Sequence, residues 1–147
     1  MLNHTGEPFW LSVIGNFVDI AVLEWCKLFG NRNGKYHWSK VLLSPETFRS
    51  DMLNQLGLEQ ERFDSMYLTV KRYRDEFVAH LEDVETTTVP NMNVPYVLAW
   101  SYYRQLRTDY PSLASIKELP KDYGNYFAVH SRDAERIIRL ATCVHAK

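Results

Sequence analysis

Two apolar faces on a single helical segment constrain this chain more than any other feature. Between Phe9 and Phe29, the residues Trp10, Val13, Ile14, Phe17, Ile20, Ala21 and Leu28 recur at three- and four-residue steps, the spacing of a helix face. Leu11, Val18, Val22, Trp25 and Phe29 fill a second face, and polar residues are confined to a narrow strip with Ser12, Asn16, Asp19 and Lys27. A helix apolar on two sides must be covered on two sides. It is expected at the centre of a bundle or at the seam of a dimer. Pro8 suits its first turn and Gly30 a position just past its end.

The remaining segments repeat the helical period. Gly30 to Tyr36 reads as a loop, with Asn33-Gly34 a turn pair. Ser44-Pro45-Glu46 predicts an N-cap followed by proline at the first helical position, opening a short helix that ends at Gly57. A further helix is expected from near Glu59, with Phe63, Met66, Tyr67, Val70, Arg74, Phe77 and Leu81 on one stripe. Thr86 to Asn93 is a break, and Asn93 with Pro95 opens a helix carrying Tyr96, Ala99, Tyr103, Leu106 and Tyr110. Pro111 to Pro120 is a connector with room for one extra turn. A last helix from about Lys121 carries Tyr123, Tyr126, Phe127, His130, Ala134, Ile137, Ile138, Ala141 and Val144. No segment alternates as a strand does. The expectation is one all-α domain over residues 1–147, an up-and-down bundle of four to five helices.

Composition narrows the function classes. The 147 residues carry 17 Lys+Arg and 18 Asp+Glu, a net charge of −1, which argues against a general nucleic-acid coat protein but leaves room for a local basic site. Cys26 and Cys143 cannot form a disulfide framework or a zinc finger, and are read as reduced thiols of a cytoplasmic protein. No run reaches the ~20 apolar residues of a membrane span. His4, His130 and His145 have no partners at metal-ligand spacing, and neither G-x-G-x-x-G, G-x-x-x-x-G-K nor G-x-S-x-G occurs. No metal and no cofactor is expected.

Chemistry is suggested at one place. Arg74 lies in the middle of an apolar stripe, where an unpartnered charge is costly, and His80 follows six residues later in Tyr73-Arg74-Asp75-Glu76-Phe77-Val78-Ala79-His80. On spacing alone Arg74 snorkels or pairs with Asp19 or another bundle carboxylate, and His80 caps the helix end. On an ideal helix the two are about 120° apart in azimuth and ~9 Å apart along the axis. They do not share a face. Convergence needs a loosened last turn or a second copy of the motif across a two-fold axis.

Arginine, a polar residue and histidine late in a helix of an all-α domain resemble the motif of the HEPN superfamily (higher eukaryote and prokaryote nucleotide-binding). Asp19–Gly30 (DIAVLEWCKLFG), His37-Trp38 and Arg74–His80 (RDEFVAH) together look like the abortive-infection-related branch of that superfamily. The likeness covers roughly residues 10 to 100. It implies a metal-independent endoribonuclease of the toxin–antitoxin or phage-defence type, acting as a homodimer that joins two motifs in one cleft, with an antitoxin as a possible partner. The residues implied are His80 to move protons, Arg74 to stabilise phosphate charge and Asp75 to support the geometry. The family also holds members that bind nucleotides or proteins without cleaving, and that alternative stays open.

Other residues offer binding roles. Tyr73 is a candidate for contact with a phosphate or base, or for packing. Arg132, Arg136 and Arg139 recur at helical spacing opposite the last helix's apolar stripe, a strip suited to an RNA backbone, though Asp133 and Glu135 dilute it. Trp25, His37 and Trp38 flank the loop after the first helix, either to stack on bases or to cover a bundle end.

Overall fold

A computed structural model describes residues 7–78 and 88–143. Among them are six α-helices and no strand: α1 (Glu7–Trp25), α2 (Trp38–Val41), α3 (Pro45–Leu56), α4 (Gln60–Tyr73), α5 (Asn93–Asp109) and α6 (Tyr123–Cys143). A 3₁₀ turn, Pro111–Ser115, occupies the expected connector. The chain is all-α, with one helix more than expected. The addition is α2, a single turn whose N-cap is His37: the ring nitrogen Nδ1 accepts from the Ser39 amide at 3.3 Å. A histidine cap has no sequence signature of the Ser/Asp kind.

Helix α3 stops and the chain turns into α4 at Gly57, which adopts φ 58, a left-handed conformation that costs other residues ~1–2 kcal/mol. The Gly57 amide donates to Asn54 O and the Leu58 amide to Leu53 O, both at 3.1 Å, the Schellman pattern that satisfies the last carbonyls of α3. At the other end of α3, Pro45 takes the first helical position, but Ser44 makes no side-chain cap.

The core joins Val22, Trp25, Cys26 and Phe29 from the α1 end to Phe48 and Met52 of α3, Val70 and Tyr73 of α4, and Leu98 and Tyr102 of α5. An aromatic chain runs through it. Trp25 stacks on Phe29 at 5.1 Å, Phe29 meets Tyr102 edge-on at 5.8 Å, Tyr102 meets Phe48 at 6.3 Å, and Phe48 meets Trp38 at 5.5 Å. Each such pair adds ~0.5–1.5 kcal/mol beyond the area it buries. Helix α5 is tied to the α2–α3 connection by Asp109, which accepts from the Leu43 amide at 2.8 Å, and by Tyr110, whose hydroxyl donates to Val41 O at 2.5 Å.

Two faces expected to be covered are bare in the single chain. The face of α1 that carries Ile14, Phe17 and Ile20 leaves them at 51%, 67% and 55% of full exposure, while the face with Val22, Trp25 and Phe29 is buried. Helix α6 packs at its start, where Tyr123 and Phe127 meet Tyr96, Trp100 and Tyr103 of α5; further along, Ile137 is exposed. No helix of the described residues is long and apolar enough to cross a membrane.

The ends of α1 and α4 differ from a regular helix. Cys26–Gly30 and Arg74–Val78 are both π turns, in which hydrogen bonds reach one residue further than in an α-helix and the turn widens. The expected uninterrupted helices therefore loosen at the two blocks that carry the sequence motif.

Candidate functional site

The two π turns pack against each other's helices, and Arg74 lies where they meet. It opens the second π turn directly after Tyr73, the last residue of α4. A Cβ at position 30 would stand 3.0 Å from the Cys26 Cβ and 3.5 Å from Arg74 Nη1. The tight approach is to Cys26, whose Sγ would lie 3.2 Å away, so glycine at that position spares a clash inside the first turn, while the guanidinium is at ordinary contact distance. The Gly30 carbonyl accepts the Tyr67 hydroxyl at 2.6 Å, fixing the first turn to α4 two helical turns before Arg74.

Arg74 is bound by its neighbour in sequence, not by Asp19. Its Nε and Nη2 both meet Asp75 Oδ1, at 2.7 and 2.5 Å. The arginine side chain is 21% exposed and that of Asp75 47%. Burial opposes the guanidinium's charge, and the Asp75 hydrogen bond with the groups around it outweighs burial, so its pKa is raised. Burial pushes the Cys26 thiol up as well, against a downward pull from Arg74. The thiol is therefore held in its protonated, non-nucleophilic form at neutral pH.

Asp19 has a different partner from the one its place on the polar strip suggests. It accepts the Tyr73 hydroxyl at 2.7 Å. Burial, then this bond, pushes the Tyr73 phenol up to about 12. Tyr73 is buried in the core, so its described role is packing with a satisfied hydroxyl.

His80 lies outside the described residues. Arg132, Arg136 and Arg139 are exposed on α6, and Arg132 Nε donates to its own helix at Ala128 O; Tyr123 and Phe127 of α6 meet rings of α5, and Tyr126 meets Tyr123 and His130 of its own helix. Trp25 is buried in the core, Trp38 is half-buried against it and His37 is buried. Burial holds the His37 pKa down, which keeps the ring neutral and leaves Nδ1 free to accept from Ser39. Among the described residues no three His, Cys, Asp or Glu side chains gather as metal ligands.

A cleft of ≈ 220 Å³ opens beside this region, with Tyr67 as a shared wall. Phe29, Trp38, Phe63 and Tyr67 give it aromatic walls, and Arg32 and Arg49 bring two cations to it. None of Arg32, Arg49 and Phe63 is marked as functional by the sequence. Their only signal is that Pro45, Arg49 and Met52 share one face of α3, as Phe63 and Tyr67 share one of α4. The loop that adds Arg32 has no period at all. No family model matches the chain, and it matches no curated protein and no solved structure.

Proposed function

We propose that the chain is a metal-independent endoribonuclease of the HEPN type, working as a homodimer in a toxin or phage-defence system of the cytoplasm. The observation that carries this reading is Arg74: an arginine four-fifths buried at the meeting of two π turns, its donor edge held by the next residue. Such turns are frequent at functional sites, and an arginine oriented by a carboxylate on its Nε–Nη2 edge keeps its remaining N–H donors for phosphate oxygens.

In the reaction, His80 accepts the proton of an RNA 2′-hydroxyl. The resulting oxygen attacks the adjacent phosphorus, and Arg74 offsets the charge that builds on the phosphorane. The P–O5′ bond breaks as the protonated His80 returns a proton to the departing 5′-oxygen, and a 2′,3′-cyclic phosphate remains. Proton transfer of this kind contributes ~10²–10⁴-fold, and donors placed where charge develops add a comparable factor. Asp75 orients Arg74.

The test is RNA cleavage by the purified chain in excess EDTA, with Arg74→Ala and His80→Ala alongside and end-group analysis of products. Cyclic phosphate ends, lost in both variants, are expected. No cleavage of tRNA, mRNA or rRNA by folded protein would discard the nuclease. A second reading, a binding module without catalysis, draws on the same ion pair: Asp75 occupies the edge of Arg74 that a phosphate needs.

A further inference from the structure

A second opening, a groove of ≈ 390 Å³, lies between α3 and α5, and neither Arg74 nor Asp75 lines it. Its size is within the ~300–1,000 Å³ of small-molecule sites. Phe48 and Met52, both buried in the core, form its floor. The rim is polar, with Asp51 and Gln55 from α3, Ser101 and Arg104 from α5, and Lys121 from the segment before α6. Phe48 is the one ring among the lining residues and is 5% exposed, so a flat base finds no surface to stack on.

Arg104, Arg107 and Lys121 bring three cations to this groove against the single carboxylate of Asp51, in a chain whose net charge is −1. Among the described residues none of the four belongs to an ion pair. Asp122, next to Lys121, is engaged elsewhere: its Oδ1 accepts the Asn125 amide at 3.1 Å at the start of α6. Arg107 is half-buried and held by uncharged groups. Its Nη1 donates to Pro120 O at 2.8 Å, and its guanidinium carbon stands 5.9 Å from the centre of the Tyr103 ring. These contacts fix the side chain without neutralising it, and a cation withdrawn from water is costly until an anion joins it. They also anchor the backbone beside Lys121, because the Tyr103 hydroxyl donates to the same Pro120 carbonyl.

The spacing of the cations selects the anion. Arg104 and Arg107 are three residues apart on α5, which places them on one face with Cβ atoms ~5–6 Å apart. Two guanidinium forks at that separation match two carboxylates at the ends of a short carbon chain, each taken through paired hydrogen bonds. A single phosphate presents only one anionic centre. Asp51 repels a further carboxylate and accepts a hydroxyl in its place. Gln55, whose Oε1 accepts the Ser101 hydroxyl at 3.4 Å, keeps its amide N–H donors for the same ligand.

We propose that the groove between α3 and α5 binds a short-chain hydroxy-dicarboxylate, its carboxylates on Arg104 and Arg107 with Lys121 alongside, and its hydroxyl on Asp51. The proposal goes beyond the nuclease reading and does not depend on cleavage at Arg74.

Calorimetric titration of the whole chain with malate, succinate, lactate and inorganic phosphate, at constant ionic strength, tests this. Malate is expected to bind at least tenfold more tightly than phosphate or than lactate, which lacks the second carboxylate. Succinate, without the hydroxyl, should bind more weakly than malate, and Asp51→Ala should bind the two alike. The double variant Arg104→Ala/Lys121→Ala changes two exposed residues; it should lose at least tenfold for malate and retain the wild-type circular dichroism. Arg107→Lys keeps the charge but not the fork, and should weaken malate while leaving phosphate unchanged. Arg74→Ala should bind malate as the wild type does, so a failure here and a failure of RNA cleavage are separate results. No malate binding at millimolar concentration, phosphate binding as tightly as malate, or malate binding undiminished in the folded double variant would overturn the proposal. So would loss of malate binding in Arg74→Ala, or tighter binding of a short oligo-deoxyadenylate than of malate, which would mark the groove as a plain basic track.

Discussion

Tyr73 and Arg74 are neighbours in sequence with opposite tasks. Tyr73 closes the core with its hydroxyl on Asp19; Arg74 stands at the meeting of the π turns with Asp75. Tyr73→Phe leaves Asp19 without that donor in a partly buried place, and urea unfolding should show a loss of about 1–3 kcal/mol. The phenol, raised from 10.0 to about 12, keeps its proton in the folded chain where the unfolded chain releases it. Its contribution is complete below pH 10 and is lost as the pH rises through about 12. The alkaline limb of the wild-type stability curve should therefore be steeper than that of Tyr73→Phe. Asp75→Asn tests the adjacent contact. If Asp75 orients the arginine for catalysis, cleavage should fall about tenfold, less than in Arg74→Ala, with a modest drop in the unfolding midpoint, because Asp75 is 47% exposed but leaves behind an arginine only 21% exposed.

At the scale of elements, the turns and caps decide how the helices meet. His37 serves α2 as a neutral acceptor, and desolvation lowers its pKa from 6.5. The unfolded chain takes up a proton below about pH 6.5 that the folded ring resists, so stability is highest above that pH and declines as the medium acidifies. His37→Asn keeps a side-chain acceptor for the Ser39 amide but does not titrate; its melting temperature should vary less between pH 7.5 and pH 5.5 than that of the wild type. The placement of most elements was legible in the sequence. Pro45 and Gly57 bracket α3, Pro95 marks the start of α5, and Pro111 opens the 3₁₀ turn as composition suggests. The π turns were not legible, because Cys26–Gly30 and Arg74–Val78 use residues equally suited to an α-helix. Hydrogen-bond register there follows from tertiary contact. Arg74 was legible as a charge on an apolar stripe, but its partner was not. Asp19 and Asp75 are both plausible carboxylates, and only the packing of α1 against α4 separates them. The cleft was illegible because α3, α4, α2, the first π turn and the loop after it all line it, with no period shared between them.

For the molecule as a whole, the bare stripes on α1 and α6 set the main expectation. Ile14, Phe17 and Ile20 lie at helical spacing, each more than half exposed, and contiguous apolar faces of this kind usually mark a protein contact. In the proposed dimer they form the seam. Sedimentation should give twice the chain mass for the wild type, and Phe17→Glu, changing an exposed residue, should give the single-chain mass with helical content intact. Wild-type protein sedimenting as a single chain at tens of micromolar would remove the two-motif cleft from the nuclease reading. The π turns have a consequence for chain length as well. A π turn is an α-helix that accommodates one residue more than its regular bonding requires. In a regular α-helix the loss of one residue turns everything beyond it by about 100°; between Cys26 and Gly30 the wide turn absorbs that loss and regular winding returns. The helix would survive such a deletion, but the widened turn that brings Gly30 beside Arg74 would be gone. At these two helix ends, the chain's length in single residues sets the alignment of the site.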